Sequence, residues 1–548
     1  VPDMRVSGAR TKRKLLGSGV VLSVLLAAST LPGPATATSG GPGPERVLPL
    51  GAPGLSETRT TTTLQAGVTL TRIVRGADAP ALPWTVEMSI PAGRTSPDPD
   101  APPTALKDRT SAEELVGVLR GGGFDARTEK VTAQAVADYA GGTLGWRVRV
   151  GAFDSQSAAD AERSRLRAAG HAGAATYTGW DGNAEDRGPW RVDVLTIDPR
   201  RFRGSLEASY GADLEQREKT SRLAADRGAT AAVNSGFFVL DPRSGAPGDP
   251  AGVGVYDGRT LSEPVSGRPA LMTGEDGRSR IVRTTWTGHI AGRAGKLPLD
   301  GINRVPGLVR NCGGTADDTP TSRPLHDVTC NDEDELVAFT ADFGKRTPAG
   351  EGAEAVLDSR GLVVELRSPR GGALPEGGGS VQATGDRAEA LARLARPGER
   401  LRVRTGLLDG HGRPLSTPPS TSILNGGPEL VRDGRAHVTA AADGMVHADN
   451  PSFFYGWTHK RNPRTLAGID ATGRTVLVTA EGRDTDALGL SIPESAAVAR
   501  SLGLRDAVNF DGGGSTAMVV NDRLLTDPSD AGGERPVGDA LLILGRRD

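Results

Sequence analysis

Cysteine is nearly absent. Two in 548 residues, Cys312 and Cys330, exclude a disulfide framework as the main source of stability. Charge of one sign is also missing: 65 Lys and Arg face 67 Asp and Glu, so no basic field argues for nucleic acid as a partner. Aromatics make up 4% of the chain, and the seven histidines are scattered. No H-E-x-x-H pair or zinc-like spacing, no Walker loop and no G-x-S-x-G elbow occurs. No metal and no cofactor is therefore expected. Glycine (75) and proline (38) are abundant, as in a loop-rich globular protein with polar linkers.

One long apolar run exists, at the N-terminus. Arg5, Arg10, Lys12, Arg13 and Lys14 precede the apolar stretch from Leu15 to Ala28, and Ala35-Thr36-Ala37 fits the small-x-small cleavage rule. Residues 1–37 are thus expected to be a signal peptide, giving a secreted, extracellular or cell-wall-associated protein with no stable membrane insertion after cleavage. An uncleaved anchor is the alternative. In an exported chain Cys312 and Cys330 are expected to pair, restraining the unfolded chain by about 3 kcal/mol; two free thiols are the other reading. Residues 38–63, rich in Pro, Gly, Ser and Thr, read as a disordered linker.

Residues 64–181 alternate strand and helix signals in the order β-α-β-β-α-β, a ferredoxin-like layout. The strands begin with Trp84 to Ile90, and Ser111 with Glu114 fits a helix capping box. In the second half, Trp146-Arg147-Val148-Arg149-Val150-Gly151-Ala152-Phe153 and the helix from Ser157 to Gly170 resemble the SPOR domain. That resemblance implies peptidoglycan binding, with the glycan on the sheet face. Which way Arg147 and Arg149 face is open, and a spacer that binds nothing is the alternative.

From residue 188 to 548 the pattern reads as an α+β, mixed-sheet domain. The acidic run Asp332 to Glu335 lacks calcium-loop spacing and reads as a solvated turn. The density of functional groups peaks at Asn509-Phe510-Asp511-Gly512-Gly513-Gly514-Ser515-Thr516-Ala517-Met518-Val519, where three glycines remove side chains between a helix-strand unit and the next strand. Upstream lie Val233-Asn234-Ser235-Gly236-Phe237-Phe238, Asn425-Gly426-Gly427-Pro428-Glu429, Asn462-Pro463-Arg464-Thr465 and Glu481-Gly482-Arg483, and Gly532-Gly533-Glu534-Arg535-Pro536 follows. In this order the segments resemble the phosphodiester glycosidase family from about Trp190 onward. The resemblance implies hydrolysis of a sugar-1-phosphate diester, α-linked N-acetylglucosamine in the best-known member, to free sugar and a phosphomonoester. Two departures, Ser235 and Glu481 where the family often has Gly and Asp, bear on the substrate.

Such chemistry needs a group assisting attack at the anomeric carbon, a holder for the phosphodiester anion and readers of sugar hydroxyls. Phosphate is already a weak base, so a strong general acid matters less. Asp511 and Glu481 are the candidate nucleophile or base, against a turn-forming Asp and a surface Glu. Arg464 is the candidate phosphate clamp, against an ion pair with a structural Asp. Gly512, Gly513, Gly514 and Ser515, with Thr516, are a candidate anion nest, against a plain tight turn. Asn234, Asn425, Glu534, Arg535 and His459 are candidate substrate contacts, each with a local structural reading beside it. Expected partners are a glycan or sugar phosphodiester and peptidoglycan. The alternatives are a non-catalytic phosphosugar binder and a metal-dependent phosphodiesterase.

Overall fold

The structure, a computed structural model, describes residues 47–545 apart from 77–80, 91–103, 266, 275–276, 311–318, 321–327 and 448–449. The expected signal segment and Cys312 lie outside the described residues. The protein is α+β and mostly sheet, with few helices. No helix among the described residues is long and apolar enough to cross a membrane.

The central sheet is organised around the strand Arg464–Asp470. It pairs antiparallel with Thr475–Ala480 on one side and Leu504–Asn509 on the other. Every residue of Thr475–Ala480 is buried, as expected of a strand covered on both faces. Val476, Val478 and Ala480 pack into one core with the helix Ile492–Ser501, while Leu477 faces a second core shared with Ala231, Val233, Leu541 and Ile543. That helix starts on a full capping box, Ser491 with Glu494.

Beyond Thr475–Ala480 the sheet continues through β7 (Trp190–Ile197) to the hairpin of β1 (Glu57–Gln65) and β2 (Val68–Arg75). This corrects the expected linker and the expected start of the N-terminal module. The run Glu57–Gln65 is poor in apolar residues but rich in threonine, whose branched side chain suits strands. As the edge strand it needs little burial, and most of its residues are exposed or half-buried. Leu48 and Leu50, further back in the same expected linker, are fully buried in the central core.

Between β2 and β7 the chain makes the module. β3 (Trp84–Met88), α1 (Arg109–Gly121), β4 (Ala126–Ala133), β5 (Gly142–Phe153), α2 (Gln156–Ala168) and β6 (Gly173–Tyr177) follow in turn, and the antiparallel sheet runs β4-β5-β3-β6. α1 is capped by Asp108, whose carboxylate accepts from Ser111 N at 2.9 Å. The expected Ser111 box gives way because the helix begins earlier. Val86, Met88, Val148 and Val150 face the helices. By the alternation of strands, Glu87, Arg147 and Arg149 fall on the other face, and there they meet the segment 451–461 of the C-terminal domain. Lys460 Nζ donates to Glu87 at 2.9 Å, and Arg147 donates to Tyr455 Oη. Arg149 is 2% exposed and is bound to Asp181 and Glu87.

Two further expectations are corrected. Leu214 to Asp226 is helical only over Thr220–Arg227, because Leu214 N and Glu215 N donate across to Asp342 O and Phe343 O. The acidic run is solvated at Glu333 but not at Glu335, which is fully buried and bound by Arg304. Cys330 is buried, and among the described residues no cysteine is free.

Candidate active site

Asp511 stands two residues past the end of the strand Leu504–Asn509, near the start of the Arg464 strand. Phe510 N donates to Thr465 O and Gly513 N to Pro463 O, so the loop lies against the start of the Arg464 strand. Asp511 itself is half-buried, and its Oδ1 accepts from Gly512 N at 2.9 Å.

Arg464 is 3% exposed. Its guanidinium donates to backbone carbonyls, Leu490 O at 3.0 Å and Trp457 O at 2.6 Å. Burial lowers its pKa to about 9, with the charge of Arg483 adding to the drop, while Glu494 and Asp511 oppose it. Arg464 therefore stays a cation at neutral pH, held near a second guanidinium and one carboxylate. The expected ion pair with a structural Asp is not what holds it.

The three glycines are explained by close neighbours of more than one kind. A Cβ on Gly512 would come within 2.7 Å of Pro463 O and 3.6 Å of the Arg464 stem. On Gly513, whose φ is +60°, it would lie 2.9 Å from Arg483 Nη2, and on Gly514 2.2 Å from Arg535 Nη2. The loop is bare where the Pro463 carbonyl, the Arg483 guanidinium and the Arg535–Asp530 pair lie on it. This revises the expected backbone nest. The amides of Gly512, Gly513, Ser515 and Thr516 donate to Asp511 Oδ1, Pro463 O, Gly512 O and Gly513 O, so they do not converge on an anion. The hydroxyls do remain: Ser515 Oγ and Thr516 Oγ1 are buried without a hydrogen-bond partner among the described residues.

Glu481 ends the strand Thr475–Ala480. It is 6% exposed, and its Oε1 accepts from Asp527 N at 3.2 Å. Burial raises its pKa to about 7, and the negative charges of Asp527 and Asp193 push the same way. Ala480, not Glu481, stands opposite Arg464, so along the pleat Glu481 belongs to the other face. The structure brings Asp511 and Arg464 together and keeps Glu481 in a separate environment.

The expected substrate contacts are mostly internal fastenings. Asn234, fully buried, donates to Asp511 O at 2.8 Å and accepts from Thr465 Oγ1 and Ala517 N at 2.6 and 3.1 Å. Asn425 binds both Phe237 N and Phe237 O. Glu534 caps the helix Thr220–Arg227 by accepting from Ser221 N at 2.8 Å. Arg535 forms a two-pronged pair with Asp530 at 2.7 and 3.0 Å. His459 lines a cavity of about 550 Å³ between the module and the C-terminal domain, a cavity lined by none of Arg464, Asp511 and the glycines. Burial lowers its pKa to about 4.

Sequence reasoning gave no role to Arg483, although it stands in the quoted Glu-Gly-Arg run. It also missed Asp539, which accepts from Ser235 Oγ, Gly236 N and Tyr256 Oη at 2.7, 2.8 and 2.6 Å and thereby fixes the turn after Asn234. It stands in the closing run Pro528 to Leu541, which also resembles the family, and the three-dimensional pairing gives its role. Among the described residues no three of His, Cys, Asp or Glu are grouped to hold a metal ion.

A buried cation and a carboxylate stand across strand ends, beside a loop of glycines, in a mixed-sheet domain. Residues 351–544 match the phosphodiester glycosidase family and residues 104–177 the SPOR domain. The chain thus carries a region that matches the phosphodiester glycosidase family, with a SPOR domain ahead of it. It is 31% identical over 113 residues to the mouse N-acetylglucosamine-1-phosphodiester alpha-N-acetylglucosaminidase, an alignment covering 20% of this chain and 22% of that one. The bovine enzyme of the same name is 28% identical over 160 residues, 29% of this chain and 30% of the other. The chain thus spans less than a third of the length of these curated relatives. A protein from Burkholderia pseudomallei K96243, described as exported, superposes with a TM-score of 0.81 at 34% identity, covering 91% of this chain and 99% of the other. A hypothetical protein from Synechocystis shares the fold, with a TM-score of 0.51 at 16% identity over 89% and 76% of the two chains.

Proposed function

We propose that the protein is a hydrolase that cleaves the glycosidic bond of sugar-1-phosphate diesters, with Asp511 as the carboxylate acting at the anomeric carbon. The observation that carries this reading is the placement of Asp511 beside Arg464 and Arg483. The Arg483 charge that helps lower the Arg464 pKa is offset by an anion placed between them, and a phosphodiester supplies one. Arg464 would hold a phosphate oxygen. Ser515 and Thr516 would add hydroxyl donors. The phosphomonoester leaves without needing a strong acid, so one carboxylate in contact with the sugar is enough. Glu481, titrating near neutrality, would act from the side as a base or acid through water.

The sugar is read as N-acetylglucosamine by analogy with the named relatives. Residues 1–37 are read as an export signal, β3 to β6 as the SPOR region, ferredoxin-like in layout, and 188–548 as the catalytic region, completed by the N-terminal hairpin. The protein would act outside the membrane on wall polymer or exopolysaccharide, with peptidoglycan as partner of the SPOR domain and Cys312 paired to Cys330.

The test is product analysis. The protein is incubated with an N-acetylglucosamine-1-phosphodiester. Free sugar and phosphomonoester from the wild type, and none from Asp511→Asn, support the reading. Sugar phosphate as product would mean attack at phosphorus. Binding without turnover on any sugar phosphodiester would make the protein a phosphosugar binder.

A further inference from the structure

The module's sheet face meets the C-terminal domain through a closed group of charges. Glu87, Glu129 and Asp181 stand against Arg147, Arg149 and Lys460, and each of them is ion-paired within the group. Lys460 is the member that comes from the C-terminal domain. Without it three carboxylates would face two guanidinium groups. Burial works against the charge of Glu87, but Lys460, Arg149 and Arg147 hold its carboxyl well below the usual carboxylate range, so its pair with Lys460 is ionised at neutral pH.

Lys460 closes a π-helical turn, Tyr455–His459, and its N donates back to Tyr455 O at 2.9 Å. On one side the module grips this turn and the short helix before it. Lys460 Nζ donates to Glu87, Arg147 donates to Tyr455 Oη, and Ser452 Oγ accepts from Leu106 N at 2.9 Å. On the other side the turn gives its carbonyls to the candidate clamp: Arg464 Nη2 donates to Trp457 O at 2.6 Å and to Lys460 O at 3.5 Å. Arg464 Nε donates to Leu490 O at 3.0 Å. Nε and Nη2 share one edge of the planar guanidinium, so these carbonyls fix its plane. They leave Nη1, which makes no hydrogen bond among the described residues.

We propose that Lys460 is a positioning residue for the phosphate clamp: its ion pair with Glu87 holds the turn against the module, and the carbonyls of that turn aim Arg464 Nη1 at the anion. The inference rests on the reading of Arg464 as the clamp given above. A misplacement of about 1 Å in such a group costs up to about 10²-fold in rate, so the grip of the module on one turn bears on the site.

The experiment uses the full chain and two readouts, steady-state hydrolysis of an N-acetylglucosamine-1-phosphodiester and calorimetric titration with inorganic phosphate. Lys460→Met keeps the reach of the side chain and removes its charge, whereas Lys460→Arg keeps the charge. Asp138→Ala cuts a contact between the same two regions outside the turn, where Asp138 accepts from Ala441 N and Ala442 N at 3.1 and 2.8 Å. In Lys460→Met the KM should rise and phosphate affinity fall, each by about tenfold, with kcat within about twofold of wild type. Lys460→Arg should keep the wild-type KM. Asp138→Ala should lower the melting temperature and leave KM and phosphate affinity as they are. An unchanged KM in Lys460→Met overturns the proposal and makes the pair a fastening only. An equal loss in Lys460→Arg or in Asp138→Ala overturns it too, because neither the charge nor the turn is then the cause. If no phosphodiester is hydrolysed, yet phosphate binds and is weakened alike in Arg464→Lys and Lys460→Met, the positioning role stands and the hydrolase reading falls. Phosphate affinity equal in Arg464→Lys and wild type removes the clamp, and the proposal with it. A wild type with neither turnover nor affinity for phosphate overturns both.

Discussion

Two groups of polar residues sit at strand ends beside glycines, and they are connected differently. In the first, Asn234, Asn425 and Asp539, the side chains bind backbone or neighbouring side chains of their own domain. In the second, Asp511, Arg464, Ser515 and Thr516, backbone bonds fix the loop while a guanidinium, a carboxylate and two hydroxyls are left beside one another. The first group is the mounting; in the proposed function the second is the instrument. A motif that mixes Asn, Gly and Asp does not tell them apart, because both uses need short polar side chains and bare backbone.

The sharpest break of this comparison is Asp511→Asn. It keeps the shape of the side chain and should lower turnover of a sugar phosphodiester by about 10²–10⁴-fold, while the melting temperature stays near that of the wild type. Asn234→Ala should do the reverse. Removing it leaves Ala517 N and Thr465 Oγ1 without their acceptor, a cost of about 3 kcal/mol, read as a fall in the denaturant midpoint. If Asn234→Ala is as stable as wild type but inactive, Asn234 belongs to the second group. Arg464→Lys keeps the charge but loses the planar fork; a rise in KM of about tenfold is expected, with kcat less affected, and an unchanged KM would remove the clamp.

Glu481 gives the smallest effect, visible in pH dependence. Its pKa is about 7 in the folded protein against an ordinary 4.5. Between those values the native state binds more protons than the unfolded one, so this group's stabilisation is complete below the lower value and is lost as pH rises through the upper. The slope it adds is at most about 1.4 kcal/mol per pH unit. Glu481→Gln should flatten the stability profile between pH 4.5 and 7 and remove a limb near neutrality from the rate profile. A wild-type rate profile flat across that window would take Glu481 out of the reaction.

The sequence made the module's strands and helices legible, because apolar alternation in Trp146 to Phe153 and helical spacing after Ser155 are local signals. It also made the position of Asp511 and Arg464 at the ends of apolar strands legible. The hairpin β1–β2 was not, because an edge strand of threonines lacks the apolar pattern that marks a core. The roles of Asn425 and Glu534 were hidden for another reason: their partners, Phe237 and Ser221, lie 188 and 313 residues away.

The last residue of β2, Arg75, stands opposite the first of β7, Trp190. Paired Cα atoms across a ladder are about 5 Å apart, so the SPOR domain leaves the central sheet and returns to it through one narrow doorway. It is a guest seated within the chain of its host, not a pendant on a string. Trimming the chain from the N-terminus up to β7 would strip two strands from the sheet and bare a long new edge, whereas splicing Arg75 to Trp190 through a short turn would remove the guest and leave the sheet whole. Any pull on the domain reaches the central sheet through two adjacent strands at once.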